Sequence, residues 1–159
     1  MSQAAVVSVA GGSTCTLEEA RLAEAVGRGL AAAGAVVVCG GGKGVMEAVC
    51  RGAFEAGGMT IGLLPGSRRE EGNSFLTIAI PTGLGEARNA LVARAGRSLI
   101  AIGTGYGTLS EIALALRLGR LVIGLHTWSA TAADGRPADI VTARTPEEAV
   151  SLALREAQS

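Results

Sequence analysis

The chain has 159 residues and a mass of 15.8 kDa, enough for one globular domain that hides roughly 68–70% of its unfolded surface without a metal or disulfide staple. With 48% hydrophobic and 18% charged residues it is not a disordered chain. Its 14 basic and 14 acidic residues cancel and only 3% of it is aromatic, which argues against nucleic acid as a partner: no basic field and few stacking platforms exist.

Read in order, short β-branched and apolar runs alternate with helical segments. Ala5–Ala10 is the first such run, and it ends in Gly11-Gly12-Ser13-Thr14. Thr16 with Glu19 three residues on is a capping box, so a helix starts there. Leu22, Val26 and Leu30 recur every fourth residue along it, and Gly34 stops it. The run Ala35–Cys39 leads into Gly40-Gly41-Gly42-Lys43-Gly44, then a helix from about Val45 to Ala56. Further strands fall at Thr60–Leu64, Leu76–Ile80, Leu99–Ile102 and Leu121–Leu125, and further helices at about Glu86–Ala95, Thr108–Leu118 and after Pro146. The stretch 66–74, with Arg68, Arg69, Glu70 and Glu71, reads as a solvated loop; 127–139 gives no clear pattern.

Strands that are apolar throughout belong in a sheet covered on both faces. Their alternation with helices predicts an α/β fold, a doubly wound, Rossmann-like, mainly parallel sheet of about six or seven strands in a single domain spanning 1–159. The helix at Thr108–Leu118 is apolar nearly all round, which points to a second contact with another subunit. A neutral chain with mean hydropathy +0.40 is expected to form a homo-oligomer, a dimer or tetramer. No run reaches the ~20 apolar residues of a membrane span, so no membrane partner is expected. Met1 to Ala10 lacks a basic segment and cleavage site, so a cytoplasmic location is expected. Cys15, Cys39 and Cys50 have neither disulfide nor zinc spacing, so no bound metal is expected.

Ligands of such sheets sit beyond the strand C-termini, beside helix N-termini. Three glycine clusters fall at those places: Gly11-Gly12-Ser13, Gly40 through Gly44, and Gly103-Thr104-Gly105-Tyr106-Gly107-Thr108. Free amides and the positive end of a helix dipole attract an anion, so a small phosphorylated ligand is the expected partner. The candidate ligand-binding residues are Gly11, Gly12, Ser13, Gly41, Gly42, Gly44, Gly103, Thr104, Gly105, Tyr106, Gly107 and Thr108. A Walker loop fails because Gly44, not Ser or Thr, follows Lys43. A dinucleotide fingerprint fails because the first strand ends in Gly11-Gly12 alone and the second in Cys39-Gly40, with no acid for a ribose. Glu111 falls in the first turn of the fourth helix, where a carboxylate suits the dipole. His126 and Trp128 read as surface and packing residues.

The runs Gly40 to Glu47, Arg88-Asn89-Ala90-Leu91-Val92, Ile100 to Gly103 and Gly107 to Leu116 resemble the Rossmann-like superfamily of the LONELY GUY proteins, long mislabelled as lysine decarboxylases. They are most similar to its molybdenum cofactor carrier branch. The resemblance covers the chain to about Leu125. It implies a phosphate cradle at Gly103–Thr108, with Asn89 nearby. In the enzymes of that superfamily, it implies Arg88 and Glu111 as the residues that cleave a nucleoside 5'-monophosphate at its N-glycosidic bond. This chain departs from the enzyme pattern: Gly103-Thr104 replaces Pro-Gly, Asn89 replaces a lysine, and Ser110 replaces a second glutamate. The reading is a binding protein, a carrier for molybdenum cofactor, that requires no cofactor of its own. The alternative is a phosphoribohydrolase acting on an AMP-like nucleotide.

Overall fold

The computed structural model describes residues 3–157; Met1 and Ser2, part of the stretch read for a leader, lie outside them. Seven strands form one parallel sheet: β1 (Val6–Gly11), β2 (Val36–Cys39), β3 (Thr60–Leu64), β4 (Ile78–Pro81), β5 (Ser98–Gly103), β6 (Leu121–Thr127) and β7 (Ile140–Thr142). Their spatial order is β4-β3-β2-β1-β5-β6-β7. The helices are α1 (Leu17–Ala32), α2 (Val45–Glu55), α3 (Asn89–Ala95), α4 (Tyr106–Arg117) and α5 (Pro146–Ala157).

The sequence orders two cores, one per face of the sheet. Val7, Val9, Val37, Ile100, Ile102, Ile123 and Leu125 point to the face covered by α1, α2 and α5, where they meet Val26, Leu30, Val49 and Val150. Ala10, Leu99, Ala101 and Val122 point to the other face, against Ala93 of α3 and Ile112 and Ala115 of α4. Alternate strand residues serve opposite faces, and both faces of the central strands are covered, so Ser8, Thr60 and Ser98, the polar side chains buried there, are each bonded to a backbone carbonyl.

Several expectations shift in detail. The third helix begins as a 3₁₀ turn at Gly85–Arg88 and becomes α-helical only from Asn89. The fourth strand starts two residues late, at Ile78, because Thr60 and Thr77 bond each other's amides and hold the entry to β4 in place. A 3₁₀ turn, Arg69–Glu71, interrupts the loop at 66–74. The stretch 127–139 contains a small antiparallel turn, bridged at Thr131 and Pro137, that leads into β7. Part of α4's second apolar face is covered by this chain itself: Leu114 and Leu116 belong to the cluster that takes in Trp128 and Ile140.

From β1 the chain winds outward through β2 and β3 to β4, then crosses to β5 on the other side of β1. The loops after β1 and β5 therefore leave the sheet in opposite directions. A crevice opens between them, as it must at such a switch point. Among the described residues no helix is long and apolar enough to cross a membrane.

Candidate functional site

The crevice is a cavity of about 690 Å³, in the usual size range for small-molecule sites. One wall is the turn after β1, Gly11 to Thr16. The opposite wall is Gly103 to Thr108, running from β5 into α4. Arg88, Asn89, Glu86 and Met46 close the side, and Glu111 forms the depth of the site.

The α4 end of this cavity presents backbone amides and a hydroxyl that have no partner in the fold. Gly105 is the N-cap and makes no side-chain cap. Leu109 is the first residue whose N–H bonds within the helix, to the Gly105 carbonyl at 3.1 Å, so the amides ahead of it have no helical partner. Thr108, in the same turn, is 1% exposed, and its Oγ1 has no hydrogen-bond partner. Such an orphan is uncommon in a folded interior. The space beside Gly105 and Gly107 is open: a Cβ on either would meet nothing closer than 3.8 Å.

A bulge in β6 holds the loop in place. Ile102 pairs with Leu125 but Gly103 pairs with Thr127, which leaves His126 as the extra residue, with φ of 54°. An extra residue bends its strand and turns the side chains beyond it in a new direction. Thr127 Oγ1 donates to the Gly103 carbonyl at 2.6 Å, and Trp128 Nε1 donates to the Gly105 carbonyl at 3.0 Å. Two side chains thus secure two carbonyls of the loop. Gly103 itself has φ of 85°, a backbone that disfavours any side chain.

The second glycine cluster lies behind the cavity wall instead of in it. Gly44 has φ of 65°, and a Cβ there would strike the Gly12 carbonyl and the Ser13 backbone. Val45 N–H donates to that same Gly12 carbonyl at 3.0 Å. Gly41 packs on Leu64 and Gly62, and Gly42 N–H points to Met46 Sδ at 3.4 Å. Of the sequence candidates, then, Gly44 supports the first loop from beneath, while Gly41 packs on Leu64 and Gly62 and Gly42 on Met46, all three outside the cavity lining. Gly11, Gly12, Ser13, Asn89 and Gly103 to Thr108 line the cavity with Arg88 and Glu111.

Thr14, Cys15, Thr16, Glu19 and Met46 line it too, though no glycine marks them. For Thr16 and Glu19 the sequence signal was the capping box. Thr16 Oγ1 accepts from Glu19 N–H, and Glu19 Oε2 accepts from Thr16 N–H. This fixes the chain's entry into α1 beside the cavity and leaves the Glu19 carboxylate next to Gly103.

Arg88 and Glu111 differ from their expected states. Arg88 Nη1 donates to the Gly40 carbonyl at 2.5 Å and the Leu63 carbonyl at 2.7 Å, while Nε donates to Asn89 Oδ1 at 2.9 Å. Its guanidinium thus ties the ends of β2 and β3 together. Glu111 is 7% exposed. Burial pushes its carboxyl up to about 8, against the pull of Arg88, and nearby Cys39 adds to the rise. Loss of hydration at this depth thus outweighs the stabilising charge of Arg88 and favours the protonated acid. Asn89 Nδ2 donates to Ser110 Oγ at 3.1 Å, and Ser110 Oγ donates to the Gly107 carbonyl at 2.7 Å. Two departures from the enzyme pattern thus touch each other as a neutral, hydrogen-bonded pair.

Beneath this network lie Cys39 and Cys50, free and buried, with their sulfurs 3.5 Å apart. The hydrogen bond to Cys50 and burial push the Cys39 thiol up.

A parallel sheet with its switch point at β1 and β5, and a crevice and an uncapped helix end there, defines a Rossmann-like protein. The chain belongs to the SLOG cluster4 family, whose model matches residues 4–150. It is 37% identical over 152 residues to an uncharacterized protein of Archaeoglobus fulgidus, covering 93% of each chain. Among solved structures, it is similar to the molybdenum cofactor binding protein of the phototrophic bacterium Rippkaea orientalis, at a TM-score of 0.88 and 32% identity over 99% of both chains. It is also similar to the molybdenum cofactor carrier protein of Chlamydomonas reinhardtii, at a TM-score of 0.82 and 29% identity, over 99% of this chain and 100% of that one.

Proposed function

We propose that the protein binds a phosphorylated pterin of the molybdenum cofactor type in the β1/β5 crevice and carries it unchanged. The observation that carries this reading is the Thr108 hydroxyl, buried and unpartnered within the uncapped first turn of α4. A phosphoryl oxygen satisfies that hydroxyl and the free amides around it at once. Open space at Gly105 and Gly107 lets the anion reach the backbone. Glu19 and Glu86 line the cavity with a single cation, Arg88, which is committed to protein acceptors. Attraction for the anion therefore comes from amides and the helix end. The solved relatives that bind molybdenum cofactor share this fold over nearly the whole chain.

Holding fits the residues better than cleavage. Hydrolysis of a nucleotide calls for Glu111 as a carboxylate facing an oxocarbenium-like sugar, whereas Glu111 keeps its proton up to about 8. It also calls for an arginine free to grip the ligand, whereas Arg88 holds Gly40 and Leu63.

Molybdenum cofactor released from a denatured molybdenum enzyme should co-elute with the protein under anaerobic gel filtration, measured as molybdenum and as oxidised pterin fluorescence. Incubation with AMP should release no adenine. Adenine release that disappears in Glu111→Gln would replace the carrier by a phosphoribohydrolase. The reading places the protein in the cytoplasm as a homo-oligomer, for which Ile78 and Ile80, 42% and 43% exposed on the edge strand β4, offer apolar surface. A monomer in sedimentation at micromolar concentration would overturn the oligomer.

A further inference from the structure

The chain holds one tryptophan, one tyrosine and two phenylalanines. The phenylalanines pair with each other, edge to face, at the far end of α2. The other two aromatic rings meet beside the crevice. Tyr106 lines the cavity, and its ring centroid lies 5.7 Å from that of Trp128 at an interplanar angle of 33°.

Trp128 is fixed by its hydrogen bond to the Gly105 carbonyl and by its place in the apolar cluster under α4. Tyr106 is 82% exposed, and among the described residues its hydroxyl makes no hydrogen bond that would explain its position. A large ring left in water on a rigid backing, at the first residue of the anion-receptive turn, is an unfilled contact surface.

We propose that Tyr106, backed by Trp128, is the stacking face for a planar fused heterocycle, pterin or purine, whose phosphate sits on the α4 turn. This rests on the reading of that turn as a phosphate site. Tyr106 occupies both roles by position: its amide is one of the free donors, and its side chain stands at the mouth of the same cavity. Stacking is tolerant of ring identity, because every such ring offers a π-face. The platform therefore selects flat ring systems over bare sugar phosphates. The phosphate anchors the molecule, and the ring decides which phosphates stay.

Calorimetry with AMP, hydroxymethylpterin phosphate and ribose 5-phosphate separates the two contributions. The wild-type protein should bind both ring-bearing phosphates about tenfold or more tighter than ribose 5-phosphate, in line with what one stacked ring contributes. The preference should collapse toward equality in Tyr106→Ala and return in Tyr106→Phe. Fluorescence from Trp128, the only tryptophan, should change with the ring-bearing ligands more than with ribose 5-phosphate. The tighter of the two ring systems identifies the heterocycle, and either order supports the platform. Equal wild-type affinity for all three phosphates, or a preference that survives Tyr106→Ala, would overturn the platform while leaving the phosphate site standing. Failure of all three to bind would overturn the phosphate site and the platform with it.

Discussion

Arg88 packs so closely over Gly40 that any side chain on the glycine would meet its guanidinium. Arg88 Nη1 donates to the Gly40 carbonyl, and a Cβ on Gly40 would lie 2.7 Å from that same nitrogen and 2.8 Å from Met46 Sδ. An arginine tip can usually swing away from a methyl group, but this one is tied to two carbonyls and to Asn89. Gly40→Ala is therefore expected to break charge-assisted hydrogen bonds and to cost about 1.5–3 kcal/mol in chemical denaturation. Arg88→Lys should cost a similar amount, because an ammonium cannot reproduce the planar fork. Either variant unfolding at the wild-type midpoint would show that the tie between β2 and β3 contributes nothing.

This pair also marks where the sequence was legible and where it was not. Continuous apolar strands, the Thr16–Glu19 capping box and glycines at strand ends are local signals, and the sheet, α1 and the crevice walls arise from them. The destination of Arg88 is not local. It depends on Gly40 and Leu63, 48 and 25 residues away, and no periodicity records such a contact. Likewise, a glycine cluster looks alike whether it faces a ligand or a neighbouring backbone. Gly44 proves to be the second kind, because its missing Cβ leaves room for the Gly12 carbonyl. The β6 bulge falls at His126, between the apolar run Leu121–Leu125 and the patternless stretch 127–139, and no periodicity records it.

Thr108→Val should separate stability from binding. The hydroxyl is buried and unpartnered in the free protein, so an isosteric methyl removes an unsatisfied group and is expected to stabilise by up to about 1 kcal/mol. The same change deletes a donor to the phosphate, and AMP affinity should fall about tenfold. Thermal denaturation and calorimetry on one preparation test both signs. A variant that loses stability would show that the hydroxyl is satisfied in solution.

Glu111 predicts a pH dependence. Its carboxyl lies near 4.5 in an ordinary setting and is pushed up to about 8 in the fold, so the folded state binds the proton more tightly than the unfolded state. Stability from this group is complete below about 4.5 and is lost as pH rises to about 8, at up to about 1.4 kcal/mol per pH unit. Glu111→Gln should flatten the wild-type decline over that window. Phosphate binding should track the same group: above about 8 a new negative charge in the depth of the cavity repels the ligand, and in the variant it does not. Denaturation midpoints and AMP titrations across pH measure the two effects. Parallel profiles for wild type and variant would mean that Glu111 titrates as an ordinary carboxylate.

Gly107 supplies the sharpest steric test. It is the second helical residue of α4, and a Cβ there would meet only Asn89 Nδ2, at 3.8 Å. The fold therefore tolerates a side chain, and Gly107→Ala is expected to raise stability by about 0.5–1 kcal/mol through lower backbone entropy in the unfolded chain. The added methyl projects into space beside the free amides that the phosphate would need, so AMP affinity should drop. Gly107→Val should abolish measurable binding while circular dichroism stays that of the wild type. Folded Gly107→Val protein with wild-type AMP affinity would move the anion off this turn, since no phosphate can contact these amides and share that volume with an isopropyl group.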